Sequence, residues 1–187
     1  MFKRRVAASV IIVCAAVLFF IGLGALYPVK YLDIIENTSE RFGLQPAFIC
    51  AVIHAESRFK RDAVSAKGAG GLMQIMETTA EWAAEELKLT DFESNDIFEP
   101  ETNILIGCWY LNRLFNQFGG GPDVVLAAYN AGSGNVSNWL KSPEYSDDGR
   151  TLKHIPFGET RGYIQKVNGN LKIYELLFEL RKIGSFI

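Results

Sequence analysis

The sequence predicts an all-α domain behind one N-terminal transmembrane helix, and three observations lead there. Val6 to Leu26 carries no charged residue and follows the basic cluster Lys3-Arg4-Arg5. About 20 apolar residues cross a bilayer as a helix, so this run is long enough to span. Downstream, apolar residues recur at helical intervals: Phe48, Ile49, Val52, Ile53 and Ala55, then Ile104, Leu105, Cys108, Trp109, Leu111, Leu114, Phe115 and Phe118. No stretch keeps the strict alternation of a half-buried strand. Only the Gly-containing segment 60–71 leaves room for a small β-ribbon.

The basic cluster before the apolar run, with none just after it, puts the N-terminus inside and the remainder outside the cytoplasm. A cleaved signal peptide is the alternative. Its apolar region spans about 7–15 residues before a small-x-small site, whereas this run is longer and Gly22-Leu23-Gly24 makes a weak site. Both readings export the domain, and the chain divides into a tail and anchor over 1–28 and one domain over 29–187. That domain keeps 16 of the 19 basic residues, since Lys3, Arg4 and Arg5 lie in the tail, and all 21 acidic ones, a net charge of −5. With no basic stripe, nucleic acid is excluded as a partner. Three cysteines make no disulfide framework. Cys14 lies in the span, and Cys50 and Cys108 lie on apolar helix faces as free core thiols or as one bridge. His54 and His154 fit no zinc pattern, so neither metal nor cofactor is expected.

The elements follow in order. A short helix runs from Tyr31 to Phe42-Gly43. Pro46 suits the first turn of the next, which ends near Arg58. Residues 60–71 form a structured loop, and Thr78-Thr79-Ala80-Glu81 reads as a capping box opening a helix through Leu87. After a polar connection, Pro100 opens a long helix that Gly119-Gly120-Gly121 stops. Pro122 opens a short helix through Ala128, and Ser133 caps another ending near Leu140. Residues 141–157 read as a long surface loop, a length often functional. The last helix covers Glu159 to Lys182, with Gly162 and Gly169 weakening it locally.

Glu56 is the residue that points to chemistry. It sits near the end of an apolar helix, in His54-Ala55-Glu56-Ser57-Arg58-Phe59. Burial disfavours its charged form and raises its pKa, which a general acid near neutral pH requires. A helix C-terminus acts in the same direction. The plain alternative is a surface acid paired with Arg58 or Lys60. His54, two residues earlier, faces away from Glu56 and is expected to be structural.

Four motifs in order then resemble the soluble lytic transglycosylase family over about residues 30–180. They are Glu56-Ser57-x-Phe59 with Ser65, Gly68-Ala69-x-Gly71-Leu72-Met73-Gln74-x-Met76, Ala128-Tyr129-Asn130-Ala131-Gly132, and Pro156-Phe157-x-Glu159-Thr160-x-x-Tyr163. One departure is Glu77, where the family usually has a proline. The resemblance implies a lysozyme-like helical catalytic domain acting on peptidoglycan glycan strands without a cofactor, as a membrane-attached or secreted monomer. It implies that Glu56 works alone, first as acid and then as base, leaving a 1,6-anhydro sugar. Ser65, Gln74, Tyr129, Asn130, Glu159 and Tyr163 are then candidate substrate-binding residues, with the Tyr129 hydroxyl expected to reach Glu56. Each has a plain alternative: a loop serine, an inert amide, a core tyrosine, a turn asparagine, a first-turn helix acid and a packing ring. Most glycosidases use two carboxylates. Asp62 is therefore the residue that tests a goose-lysozyme-type hydrolase, and a non-catalytic glycan-binding protein is the remaining alternative.

Overall fold

Pro46 opens the helix around which the domain is built. In a computed structural model, residues 14–15, 18, 21–119 and 121–184 are described. The chain falls into two units, Met1–Lys30 and Tyr31–Ile187. In the first, residues 21–26 are helical. The apolar span expected over Val6–Leu26 lies largely outside the described residues. No helix among the described residues is long and apolar enough to cross a membrane.

The second unit is helical throughout: α1 (Leu32–Phe42), α2 (Pro46–Glu56), α3 (Glu77–Leu87), a 3₁₀ turn (Ser94–Phe98), α4 (Pro100–Phe118), α5 (Pro122–Ala131), α6 (Ser133–Lys141) and α7 (Gly158–Gly184). Proline stands in the first turn of α2, α4 and α5, where its missing N–H costs nothing. Left-handed Gly43 and Gly119 end α1 and α4. The β-ribbon reduces to isolated antiparallel bridges, Val64 to Gly70 and Gly70 to Ile75.

Two expected caps do not form. Helix α3 starts at Glu77, with Met76 before it and no side-chain cap. The Met76 carbonyl takes the Thr79 and Ala80 amides, and the Glu77 carboxylate takes the Ser94 hydroxyl at 2.6 Å. Thr78 thus lies inside the first turn. Ser133 likewise lies inside α6, which Gly132 precedes at φ 90°. The capping box that does form, Glu93 with Asp96, opens the 3₁₀ turn in a stretch that reads as plain connection.

Every residue of α2 from Ala47 to Ala55 is buried. Each large apolar side chain buried there contributes about 1.5–3 kcal/mol of transfer free energy. Helix α7 lies along α2, and the His54 imidazole meets the fully buried Tyr174 hydroxyl at 2.9 Å. His54 is therefore turned into the core. Cys50 and Cys108 are free, buried thiols with no bridge between them. Burial pushes the Cys50 thiol up to about 12 and Cys108 higher still, so both stay protonated.

Candidate active site

Glu56 ends α2 because the chain turns away immediately afterwards. Arg58 and Phe59 both take left-handed backbone, φ 53° and 61°. Such residues cost on the order of 1–3 kcal/mol each and persist only where the surroundings hold them. Phe59 is 2% exposed and packs against Tyr174 at 6.2 Å between ring centroids. Ser57 is buried and donates to the Leu72 carbonyl at 2.7 Å, tying the end of α2 to the Gly71-Leu72-Met73-Gln74 loop. Its role is that of a staple.

The same loop is held from below by Asn103 in the first turn of α4. Its Oδ1 accepts the Met73 amide at 2.7 Å, while its Nδ2 donates to Gly70 and Ile97 carbonyls at 3.1 and 2.6 Å. At 1% exposure its amide replaces the water those groups lose. Nothing in the sequence distinguishes Asn103 from a surface asparagine near a helix start.

Glu56 is half-buried, at the end of an otherwise buried helix. Burial pushes its pKa from the ordinary 4.5 to about 7. The neighbouring Tyr163 hydroxyl and the Lys166 ammonium pull it partly back, and the Glu159 carboxylate pushes it up. Tyr163 is 8% exposed, and its hydroxyl has no hydrogen-bond partner among the described residues. It lies close enough to the Glu56 carboxyl to favour its charge. A buried hydroxyl left open in this way is costly and marks a place where an incoming polar group can pair.

The other candidate residues surround this centre. Tyr129 donates to the Met73 carbonyl at 2.8 Å rather than to Glu56. Burial first, and then the Glu56 charge, hold its phenol far above the ordinary value, so it remains a neutral hydroxyl beside the acid. Gln74, left-handed at φ 51°, spends its Nε2 on the Ala63 and Gly71 carbonyls at 3.0 and 2.9 Å. Its amide nitrogen is thus occupied within the loop. Asn130 accepts the Thr160 hydroxyl at 2.8 Å, joining α5 to the first turn of α7. The Ser65 oxygen accepts the Ala69 and Lys67 amides at 3.0 and 3.3 Å, ordering the 60–71 loop. Glu159 is exposed and faces Lys67 at 3.6 Å. Asp62 is 83% exposed on its side chain and pairs with Arg61 at 3.3 Å.

A cleft of about 270 Å³ opens beside this group, with Gln74, Met76, Thr79, Tyr110, Tyr129 and Asn130 among its walls. Tyr110, which the sequence reading passes over, stands 5.6 Å from the Tyr129 ring. Its position between Trp109 and Leu111 in an apolar stripe hides it. A larger groove of about 440 Å³ between Phe42, Phe48 and Phe115 carries no titratable group and supports no chemistry. The site therefore sets an acid that titrates near neutrality beside Tyr129, on the wall of a cleft that also carries Tyr110 and side-chain amides. That is the equipment for protonating a bond within a polar, ring-shaped ligand.

A family model for the transglycosylase SLT domain matches residues 33–151. The chain belongs to that family. This SLT domain is 36% identical over 143 residues to a soluble lytic murein transglycosylase of Salmonella typhimurium, covering 75% of this chain and 22% of the relative. It is 34% identical over 167 residues to a membrane-bound lytic murein transglycosylase C of Edwardsiella ictaluri, covering 78% of this chain and 46% of the relative. Its fold matches an inactive mutant of lytic transglycosylase Slt from Pseudomonas aeruginosa at TM-score 0.74 and 33% identity, over 82% of this chain and 25% of that one. The 70 kDa soluble lytic transglycosylase complexed with bulgecin A matches equally, at TM-score 0.74 and 31% identity, over 83% and 26%. The chain thus spans less than half the length of these relatives, and the shared part is the all-helical, lysozyme-like domain.

Proposed function

We propose that residues 29–187 form a peptidoglycan lytic transglycosylase domain, with Glu56 as its acid and base. The observation that carries this reading is the Glu56 carboxyl, shifted to about 7 by burial and flanked by the hydroxyls of Tyr163 and of Tyr129, which lines a cleft. The names of the relatives support it. Glu56 gives its proton to the glycosidic oxygen as the bond from C1 of N-acetylmuramic acid to that oxygen breaks, and N-acetylglucosamine leaves with a free hydroxyl. The 2-acetamido oxygen supports C1 meanwhile. The Glu56 carboxylate then takes the proton of the 6-hydroxyl as O6 bonds to C1. Glu56 ends protonated, as it began, and no water is consumed.

Within this scheme Tyr163 and Ser65 contact the acetamido group, Gln74 accepts a sugar hydroxyl, and Tyr129 supports the ring. Asn130 and Glu159 frame the cleft. The segment 1–28 tethers the domain as a monomer to the outer face of the cytoplasmic membrane, or releases it if cleaved. Mass spectrometry of fragments from purified cell walls is the test. Products lighter than reducing muropeptides by one water are expected, whereas reducing ends alone would mean a hydrolase, with Glu159 the carboxylate available to activate water.

Because the protonated acid starts the reaction, cleavage should fall as pH rises through about 7. An initial-rate profile from pH 5 to 9 checks this, and a rate flat across that range would contradict it.

A further inference from the structure

Helix α7 meets α2 through a polar ladder of regular spacing. Lys166 donates from Nζ to the Ala55 carbonyl, and Asn170 donates from Nδ2 to the Ala51 carbonyl at 3.3 Å. The donors are one turn apart on α7, and the acceptors are one turn apart on antiparallel α2. The small residues Ala51 and Ala55 leave their carbonyls accessible. The Ile53 carbonyl receives the Ser57 amide and the His54 carbonyl the Arg58 amide, so Lys166 satisfies the next carbonyl at a helix end.

Lys166 also continues the active-site face of α7. Glu159, Tyr163 and Lys166 stand at helical intervals of four and three residues, which places them in one stripe. The first two already act on the Glu56 carboxyl. The third brings an ammonium to the residue immediately before the acid.

Resting on the transglycosylase reading, we infer that Lys166 is a positioning residue for Glu56. Its ammonium, fixed on the Ala55 carbonyl, holds the last turn of α2 against α7 and keeps a positive charge beside the carboxyl. Without such a charge, burial, the helix C-terminus and Glu159 all make the carboxyl hold its proton more tightly. An acid that holds its proton too tightly is slow in the first half of the reaction, when the proton must pass to the glycosidic oxygen; the carboxylate left behind then takes the 6-hydroxyl proton. Lys166 eases the first transfer by favouring that carboxylate.

The groups bearing on Glu56 come from each neighbouring element. From α7 they are Glu159, Tyr163 and Lys166, and from α5 Tyr129. On α2 itself His54 is turned to Tyr174, and its pKa is lowered by burial first, then by Arg58 and Lys166, so it stays neutral near pH 7. From the 60–71 loop Lys67 faces Glu159. Lys166 and Glu159 are thus the charged pair acting on the carboxyl in opposite directions.

The test is a carboxyl-carbon NMR titration of Glu56 in the folded domain, alongside the pH profile of cleavage. Lys166→Met removes charge and donor, Lys166→Gln removes charge but keeps a donor for Ala55, and Lys166→Arg keeps both. Met and Gln variants should move the Glu56 titration and the basic limb of the profile upward by about half a pH unit, with kcat reduced more than KM is changed. The Arg variant should restore both. If Met does not fold, Gln decides. An unmoved titration in the Gln variant, or a shift as large in the Arg variant, overturns the inference. The titration needs no substrate, so absence of anhydro products from the unmodified domain would sink the transglycosylase reading while leaving this measurement intact.

Discussion

Glu56→Gln should abolish cleavage while making the domain more stable at neutral and alkaline pH. The amide has nearly the same shape and keeps contact with Tyr163, but it has no acidic proton to give. A loss of about three orders of magnitude in turnover is expected for removing a positioned general acid, with glycan binding largely retained. Stability should move the other way. The native carboxyl binds its proton more tightly than the unfolded one, about 7 against 4.5. Between those values the folded state holds more protons, so its stability falls as pH rises through the window. Well above pH 7 the cost of the buried charge is complete, roughly 3 kcal/mol, and the neutral amide escapes it. Melting curves should therefore separate the variant from the parent at pH 8 and nearly coincide at pH 4. Equal Tm values at pH 8 would mean that Glu56 is better solvated than its place at the end of α2 implies. Undiminished cleavage would remove it from the mechanism.

Gly71→Ala should be among the most damaging single-methyl changes in the domain. Gly71 has φ 79°, where a side chain is already strained. A Cβ there would stand 2.2 Å from Asn103 Nδ2 and 2.3 Å from the Ile97 carbonyl. Neither can retreat, because the Asn103 amide and the Ile97 carbonyl are bonded to each other and Asn103 also holds Gly70 and Met73. The Gly71 amide in turn donates to Ala63, and its carbonyl accepts Gln74. Strain, clash and a broken buried network together should cost roughly 3 kcal/mol or more, which lowers Tm by roughly 6–12 °C in a domain of this size. Gly68→Ala is the internal control. It has a similar φ of 84° with open space around the added carbon, so only the backbone strain applies, about 1 kcal/mol. Similar losses at the two positions would show that the Asn103 contact is unimportant. If Gly71→Ala also weakens cleavage beyond its stability cost, the loop is positioning Tyr129 through Met73.

The helices were legible wherever a local signal marked them. Prolines at 46, 100 and 122 and the glycines after Phe42 and Phe118 set helix ends through backbone geometry alone. Apolar periodicity set the buried faces. Caps were less legible, because a Ser or Thr hydroxyl works only if the helix begins on the residue after it. At α3 and α6 the start moved instead, with Glu77 engaged by Ser94. Glu56 could be named from its motif and its apolar helix, since the cost of burying a carboxylate follows from both.

What the residue order determined by itself, then, is the helical architecture, and it singled out Glu56 as the acid of the proposed reaction. Those follow from interactions within a turn or two of the chain. Tertiary structure alone decided how the acid is surrounded. It sent the Tyr129 hydroxyl to Met73, left that of Tyr163 open, occupied the Gln74 amide with the loop, and brought Asn103, Tyr110 and Lys166 to the site. These groups lie tens of residues from their partners in sequence, and a hydrogen bond or a charge coupling depends on distances that only the packed helices establish.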